Sequence, residues 1–328
     1  MGENAIVVQG LRKRFGTVVA LDGVDFEVPE VTVFGLLGPN GAGKTTAVRV
    51  LATVLRPDGG TAQVLGHDVV REAEAVRRRI GLAGQNAAVD PNLTARENLR
   101  MVGLLGQLPR SEVAPRADQL LERFGLTDAA DRPLRTYSGG MRRRLDVAAS
   151  LVPRPPVLFL DEPTTGLDLT SRGQLWDMIR ELVNDGTTVL LTTQYLEEAD
   201  RLAARIAVVD VGRVIANDTP EHLKANLGST VVEMDVRGDG RAQRAVELLT
   251  RSIDGRVERE GDKLRITSDR GAHVLIDVLR SLDGDGLSPD TLTVREPSLD
   301  DVFLALTGHH AEAEPADDGA NTTKGDAA

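Results

Sequence analysis

The octapeptide "GPNGAGKT", Gly38–Thr45, limits what this chain can fold into more than any other stretch. It fits G-x-x-x-x-G-K-[ST] and lies between the apolar run "VTVFGLLG" (31–38) and the helix-like "TAVRVLATVL" (46–55). Gly38, Gly41 and Gly43 let the backbone curl until its N–H groups point at phosphate oxygens, with Pro39, Asn40 and Ala42 completing the loop. The following helix, entered at Thr46, adds its positive N-terminal end. Lys44 supplies a cation to the β/γ-phosphates, and the Thr45 hydroxyl suits Mg²⁺. The stretch argues against a dinucleotide fold, because no Gly follows Gly43 at the required spacing and Lys44-Thr45 would have no role there.

The rest of the chain extends that strand–loop–helix unit. "NAIVVQGL" and "TVVALDGVDFEV" alternate as short strands, with Asp22-Gly23 as a hairpin signal. Residues 92–150 read as mostly helical, with breaks expected at Pro109, Pro115 and Pro133. "PVLFLDEP" (156–163) is a second buried strand, "RGQLWDMIRELVNDG" (172–186) an amphipathic helix, and 187–193 a third buried strand. "RIAVVDVGRVIAND" (205–218) reads as a hairpin turning at Gly212. Strands alternating with helices predict a parallel sheet covered on both faces. Near Pro220 the pattern changes. Residues 221–308 read as a small α/β domain of three strands and three helices, and 309–328, rich in Ala and acids, as a disordered tail.

Two further stretches carry chemistry. "VLFLDE" ends an apolar strand on Asp161 and Glu162, suited to holding Mg²⁺ through water and to general-base work. "YSGGM" opens a helix with Ser138 as N-cap, and Gly139 and Gly140 leave its N–H groups open to a phosphate. Arg142–Arg144 read as a solvated face.

In this order the motifs resemble the ATP-binding-cassette (ABC) ATPases over roughly residues 4–220. The resemblance implies a P-loop NTPase: an ABC-type α/β nucleotide-binding domain with a RecA-like core, antiparallel β and helical subdomains (the helical one about 86–152), binding ATP and Mg²⁺. "YSGGM" resembles the family signature LSGGQ, and "GLAGQ" its Q-loop, which places Gln85 near the metal with Thr45 and Asp161. "TTGLD" resembles the D-loop, with Asp168 at a dimer seam. Phe15 stands where the family stacks an aromatic on adenine, or else it is a buried strand residue. The family pairs two domains head to tail, so that Ser138, Gly139 and Gly140 of one chain face the nucleotide of the other.

Gln194 occupies the place of the family's switch histidine. An amide can donate to phosphate or orient water but cannot carry a proton at neutral pH, which leaves the base role to Glu162. "TTQYLEEAD" and the ending "VREPSLDDVFLALTG" (294–308) resemble one branch, the daunorubicin-resistance-type ATP-binding subunits of bacterial drug exporters. That branch implies a separate membrane permease as partner, a homodimer of ATPase subunits, and residence at the cytoplasmic face of the membrane through the permease. By the residues alone the final helix packs on its own domain or on a partner.

The alternatives are a soluble ABC ATPase of translation or DNA repair, a P-loop small-molecule kinase, and an importer ATPase. A formal charge of −11 and a single cassette argue against a nucleic-acid partner. The signature and D-loop argue against the kinase, and the "SLDDVF" ending against the importer. No apolar run approaches the ~18 residues of a membrane helix, so no direct membrane insertion is expected. The absence of cysteine removes thiolate chemistry.

Overall fold

The computed structural model describes residues 4–85, 89–227, 230–238, 240–271 and 273–308. The expected tail, 309–328, lies outside them. In chain order the first part runs β1 (Asn4–Phe15), β2 (Val18–Pro29), β3 (Val33–Leu37), α1 (Lys44–Leu51), β4 (Gly59–Val64), β5 (His67–Asp68), α2 (Ala73–Arg77) and β6 (Ile80–Ala83). Three helices follow, α3 (Ala95–Leu105), α4 (Arg110–Arg123) and α5 (Gly139–Ser150). Then come β7 (Val157–Asp161), α6 (Leu169–Asn184), β8 (Thr188–Thr193), α7 (Leu196–Leu202), β9 (Arg205–Asp210) and β10 (Arg213–Asp218).

The six-stranded sheet has the order β10-β9-β3-β8-β7-β6 and is parallel except for β10. Every residue of β3, β7 and β8 is buried, as continuous apolar strands covered on both faces require. Alternation along β7 splits the core. Leu158 and Leu160 pack under α3–α6, while Val157 and Phe159 pack toward α1 and the antiparallel sheet β2-β1-β4-β5.

Two expectations fail locally. β1 and β2 turn at Gly16-Thr17, and Asp22-Gly23 lies inside β2. There the register steps from Leu11↔Val24 to Arg12↔Asp22, so Gly23 is the extra residue of a bulge. Pro115 does not break its helix. It sits just past the first turn of α4, where it removes one intrahelical hydrogen bond and its ring is exposed.

The second part runs α8 (Pro220–Ala225), β11 (Thr230–Asp235), α9 (Arg241–Ser252), β12 (Arg256–Glu260), β13 (Lys263–Ser268), α10 (His273–Gly284), β14 (Thr291–Arg295) and α11 (Leu299–Thr307). α9 and β12 add to the expected elements. The antiparallel sheet β12-β13-β11-β14 with two crossover helices is a split β-α-β arrangement, its core closed under α9 and α10.

α11 packs elsewhere. Leu299, Val302 and Phe303 join Leu196 and Ala199 of α7, Ala203 just after it, Ile206 and Val208 of β9, Leu37 of β3 and Leu223 of α8. The final helix therefore covers the first part of the same chain. Its first turn is fixed by Asp301, which caps with Ser298 and takes a two-pronged bond from Arg295 (2.6 and 2.9 Å).

Candidate active site

The carboxyl ends of β3, β8 and β7 lie side by side, since Leu37 pairs with Thr193 and Thr192 with Asp161. The residues that follow these strands are Gly38, Gln194 and Glu162, which converge at one edge of the sheet, the usual ligand crevice of open α/β folds. The glycines at this edge are fixed by crowding. A Cβ on Gly38 would lie 2.2 Å from the Val209 carbonyl oxygen, and one on Gly43, at φ 109°, 2.4 Å from that of Ala20.

Lys44 is buried and folds over its own loop, donating to the carbonyls of Gly38 (2.6 Å) and Pro39 (3.0 Å). Its Nζ is 4.0 Å from Glu162 Oε1. The Thr45 hydroxyl donates to Asp161 Oδ1 (3.0 Å), and Gln85 Nε2 reaches Thr45 Oγ1 at 3.4 Å. Thr192 Oγ1 donates to the same Asp161 oxygen at 2.6 Å. Thr45, Gln85 and Asp161 thus meet in one hydrogen-bonded group.

Glu162 stands at φ 49°, a left-handed conformation that costs a non-glycine residue about 1–3 kcal/mol. Its N–H is held by Thr192 through the main-chain oxygen (3.1 Å) and the hydroxyl (3.0 Å). Gln194 closes β8, and its Oε1 is buried without a hydrogen-bond partner. Half a turn of the amide would put the NH₂ group in that place.

Behind this edge, α7 carries Glu198, which is fully buried and accepts from Trp176 Nε1 at 3.0 Å. Burial raises its pKa, against the lowering effect of Thr193, Trp176, Thr164 and Arg172.

The remaining expected residues lie outside this cluster. Phe15 ends β1 with 47% exposure and Lys13 Nζ 5.6 Å above its ring, which rules out the buried-strand reading. Ser138 caps α5 by accepting from Met141 N (3.2 Å), Gly139 has open space around it, and Gly140 abuts Ser171 Oγ. Asp168 caps α6 through Ser171 N (2.8 Å), and that bond holds its carboxyl below the usual range. α5 packs on α3, α4 and β6, whereas α1 packs on β2, β4, β7 and β8, so this chain's signature and P-loop belong to different layers.

Residues 21–165 match the family described as ABC transporter. The daunorubicin resistance ATP-binding protein DrrA2 of Streptomyces coeruleorubidus is 53% identical over 96% of this chain and 99% of its own length. The daunorubicin/doxorubicin resistance protein DrrA of Streptomyces peucetius is 50% identical over 98% and 97%. The chain belongs to the ABC transporter ATP-binding proteins. A solved ATP-binding subunit of an ABC transporter superimposes with a TM-score of 0.62 at 26% identity, over 68% of this chain and 92% of that one. The Nod factor export ATP-binding protein I of Ralstonia nicotianae is 43% identical over 92% of the chain.

As an ABC ATPase the chain binds and hydrolyses ATP, and the exporter-type relatives set it apart from the soluble and importer alternatives. Sequence reasoning missed one residue at its centre. Arg143, expected on a solvated face, is turned inward with 11% of its side chain exposed. Burial lowers its pKa, and the Asp146, Asp161, Glu198 and Glu162 carboxylates oppose that effect. Asp146, an acid at the buried position one turn farther along α5, was the available signal.

Proposed function

We propose that this ABC ATPase is the motor of a bacterial exporter, with two copies paired head to tail around two Mg-ATP and a separate permease carrying a hydrophobic drug or lipid. The observation that carries the reading is the meeting of Lys44, Thr45, Asp161, Glu162 and Gln194 around three adjacent strand ends. Residues 4–220 form the motor, with a helical subdomain at about 86–152, and 221–308 the accessory domain. The resistance and export names of the relatives support the cargo class. No described helix is long and apolar enough to cross a membrane. In this reading the permease holds the chain at the cytoplasmic face.

In this reading Phe15 stacks on adenine, while residues 38–46 and Lys44 hold the phosphates. The partner's nucleotide meets Ser138, Gly139 and Gly140, with Asp168 at the seam. The Mg²⁺ donor set fits: one carboxylate and one hydroxyl of hard oxygen suit an ion that keeps waters and takes substrate phosphates. Among the described residues no group of three or more His, Cys, Asp or Glu forms a closed cage. Gln85 would ligate through Oε1 after its amide turns. Bound Mg²⁺ would neutralise charge developing on the phosphates. Glu162 takes the proton of the attacking water, and Gln194 donates to the γ-phosphate.

Mixing a Lys44→Ala chain with a Gly139→Asp chain tests the shared site. One composite site then carries both lesions and the other is intact, so partial ATPase recovery is expected. Chains that associate yet stay inactive would refute sharing. Uptake into inverted vesicles holding a membrane permease that co-purifies with this chain tests export.

A further inference from the structure

Arg143 makes four polar contacts. Nε donates to the Pro163 carbonyl (2.8 Å), Nη2 to that of Asp161 (3.0 Å), Nη1 to that of Gly84 (2.6 Å), and Nη1 pairs with Asp146 Oδ2 (3.2 Å). Asp161 and Pro163 flank Glu162, the residue at φ 49°. The carbonyls of the residues on both sides of Glu162 are thus gripped by one guanidinium from α5, while β8 holds the Glu162 N–H through Thr192. The third carbonyl, Gly84, immediately precedes Gln85. A strained backbone persists only where its surroundings over-determine it. A planar fork with five donors can serve three carbonyls and a carboxylate together, whereas a lysine ammonium has three donors and a glutamine amide two.

We propose that Arg143 is a positioning residue for hydrolysis, which holds the main chain at Glu162 so that the carboxylate points at the attacking water and ties that alignment to α5. The inference rests on the reading of Glu162 as base and of Ser138–Gly140 as half of the partner's site. α5 begins at the signature and carries Arg143 about one turn later. A shift of α5 on meeting the partner's γ-phosphate therefore reaches the base of its own site, which couples the two hydrolytic events.

The test compares wild type with Arg143→Gln, Arg143→Lys and Glu162→Gln in the full chain. It measures kcat, KM and the Hill coefficient for ATP, bound-nucleotide stoichiometry by equilibrium binding, and thermal midpoint. Arg143→Gln is expected to lose ~10- to 100-fold in kcat, the scale of a misplacement of up to 1 Å. Its nucleotide stoichiometry and affinity should be kept, with a Hill coefficient falling toward 1 and Arg143→Lys in between. If Arg143→Gln does not fold, Arg143→Lys and Asp146→Asn carry the same comparison. Wild-type kcat and Hill coefficient in the folded Arg143 variants would overturn the inference. So would a loss of activity matched by an equal loss of bound nucleotide, which marks a structural role only. An inactive Glu162→Gln beside a fully active Arg143→Gln overturns this inference alone; a fully active Glu162→Gln overturns the base assignment beneath it.

Discussion

The Thr45 hydroxyl donates to Asp161 Oδ1 across 3.0 Å, joining the first turn of α1 to the last residue of β7. Thr45 and Asp161 would together hold Mg²⁺, Asp161 through water. Asp161→Asn keeps the shape and removes the charge. We expect nucleotide affinity in EDTA to be unchanged, Mg²⁺ to stop tightening ATP binding, and turnover to fall ~10²-fold or more, several kcal/mol of transition-state charge stabilisation being lost. Titrations with and without Mg²⁺ check this; equal tightening in both proteins would exclude Asp161 from the metal site.

Glu162→Gln should bind Mg-ATP and lose ~10²-fold or more in turnover, the contribution of a general base. Because the sandwich cannot discharge, the variant should also accumulate as an ATP-bound dimer in gel filtration. Turnover near wild type rules the assignment out.

At Gln194 the expected order of rates is Gln, His, Ala, Glu. A hydrogen bond to a charged group contributes about 1.5–3 kcal/mol, so Gln194→Ala should slow hydrolysis roughly ten- to a hundredfold. Gln194→Glu should be slower, since it sets a carboxylate against the phosphate. Steady-state rates at saturating Mg-ATP decide. If Ala matches wild type, the strand end does not sense phosphate.

Phe303 is 1% exposed where α11 covers α7 and β9. Phe303→Ala should cost about 3–5 kcal/mol in chemical denaturation. Leu279→Ala, at an exposed position of α10, should stay within about 0.5 kcal/mol. A chain ended at Asp218 would uncover Leu196, Ala199 and Ile206, so any loss of permease binding by that chain is read beside its melting curve.

Glu198 gives a pH prediction. Burial raises its pKa above the ordinary 4.5. The folded state therefore keeps a proton that the unfolded chain releases. The linked stability is full below the ordinary value and is lost as pH rises through the folded-state value. Calorimetry across pH should show wild type falling relative to Glu198→Gln as pH rises. Parallel curves would mean that Glu198 is charged in the fold.

The phosphate loop, Asp161, Glu162 and the capped signature helix were legible because each needs a residue type at a fixed spacing. Gln194 was legible through its strand, whose end must lie beside β3 and β7. Asp22-Gly23 misled because a glycine at positive φ serves a bulge as well as a turn, and local sequence does not separate them. α9 does carry apolar residues at helical spacing, Ala242, Ala245 and Leu249. The inward turn of Arg143 depends on carbonyls of Gly84, Asp161 and Pro163, far from it in sequence and chemically silent in it.

The cover that α11 provides also sets an order of events in time. About a hundred residues separate Leu202 from Phe303, and a ribosome adding roughly 5–20 residues per second takes about 5–20 s to supply them. Through that interval α7 and β9 exist without their lid, with Leu196, Ala203 and Ile206 open to water. The strand end that carries Gln194 therefore rests on an unfinished floor until nearly the whole chain has been made. Packing beneath this candidate edge is therefore completed late in synthesis, well after its last residue, Gln194, has been made.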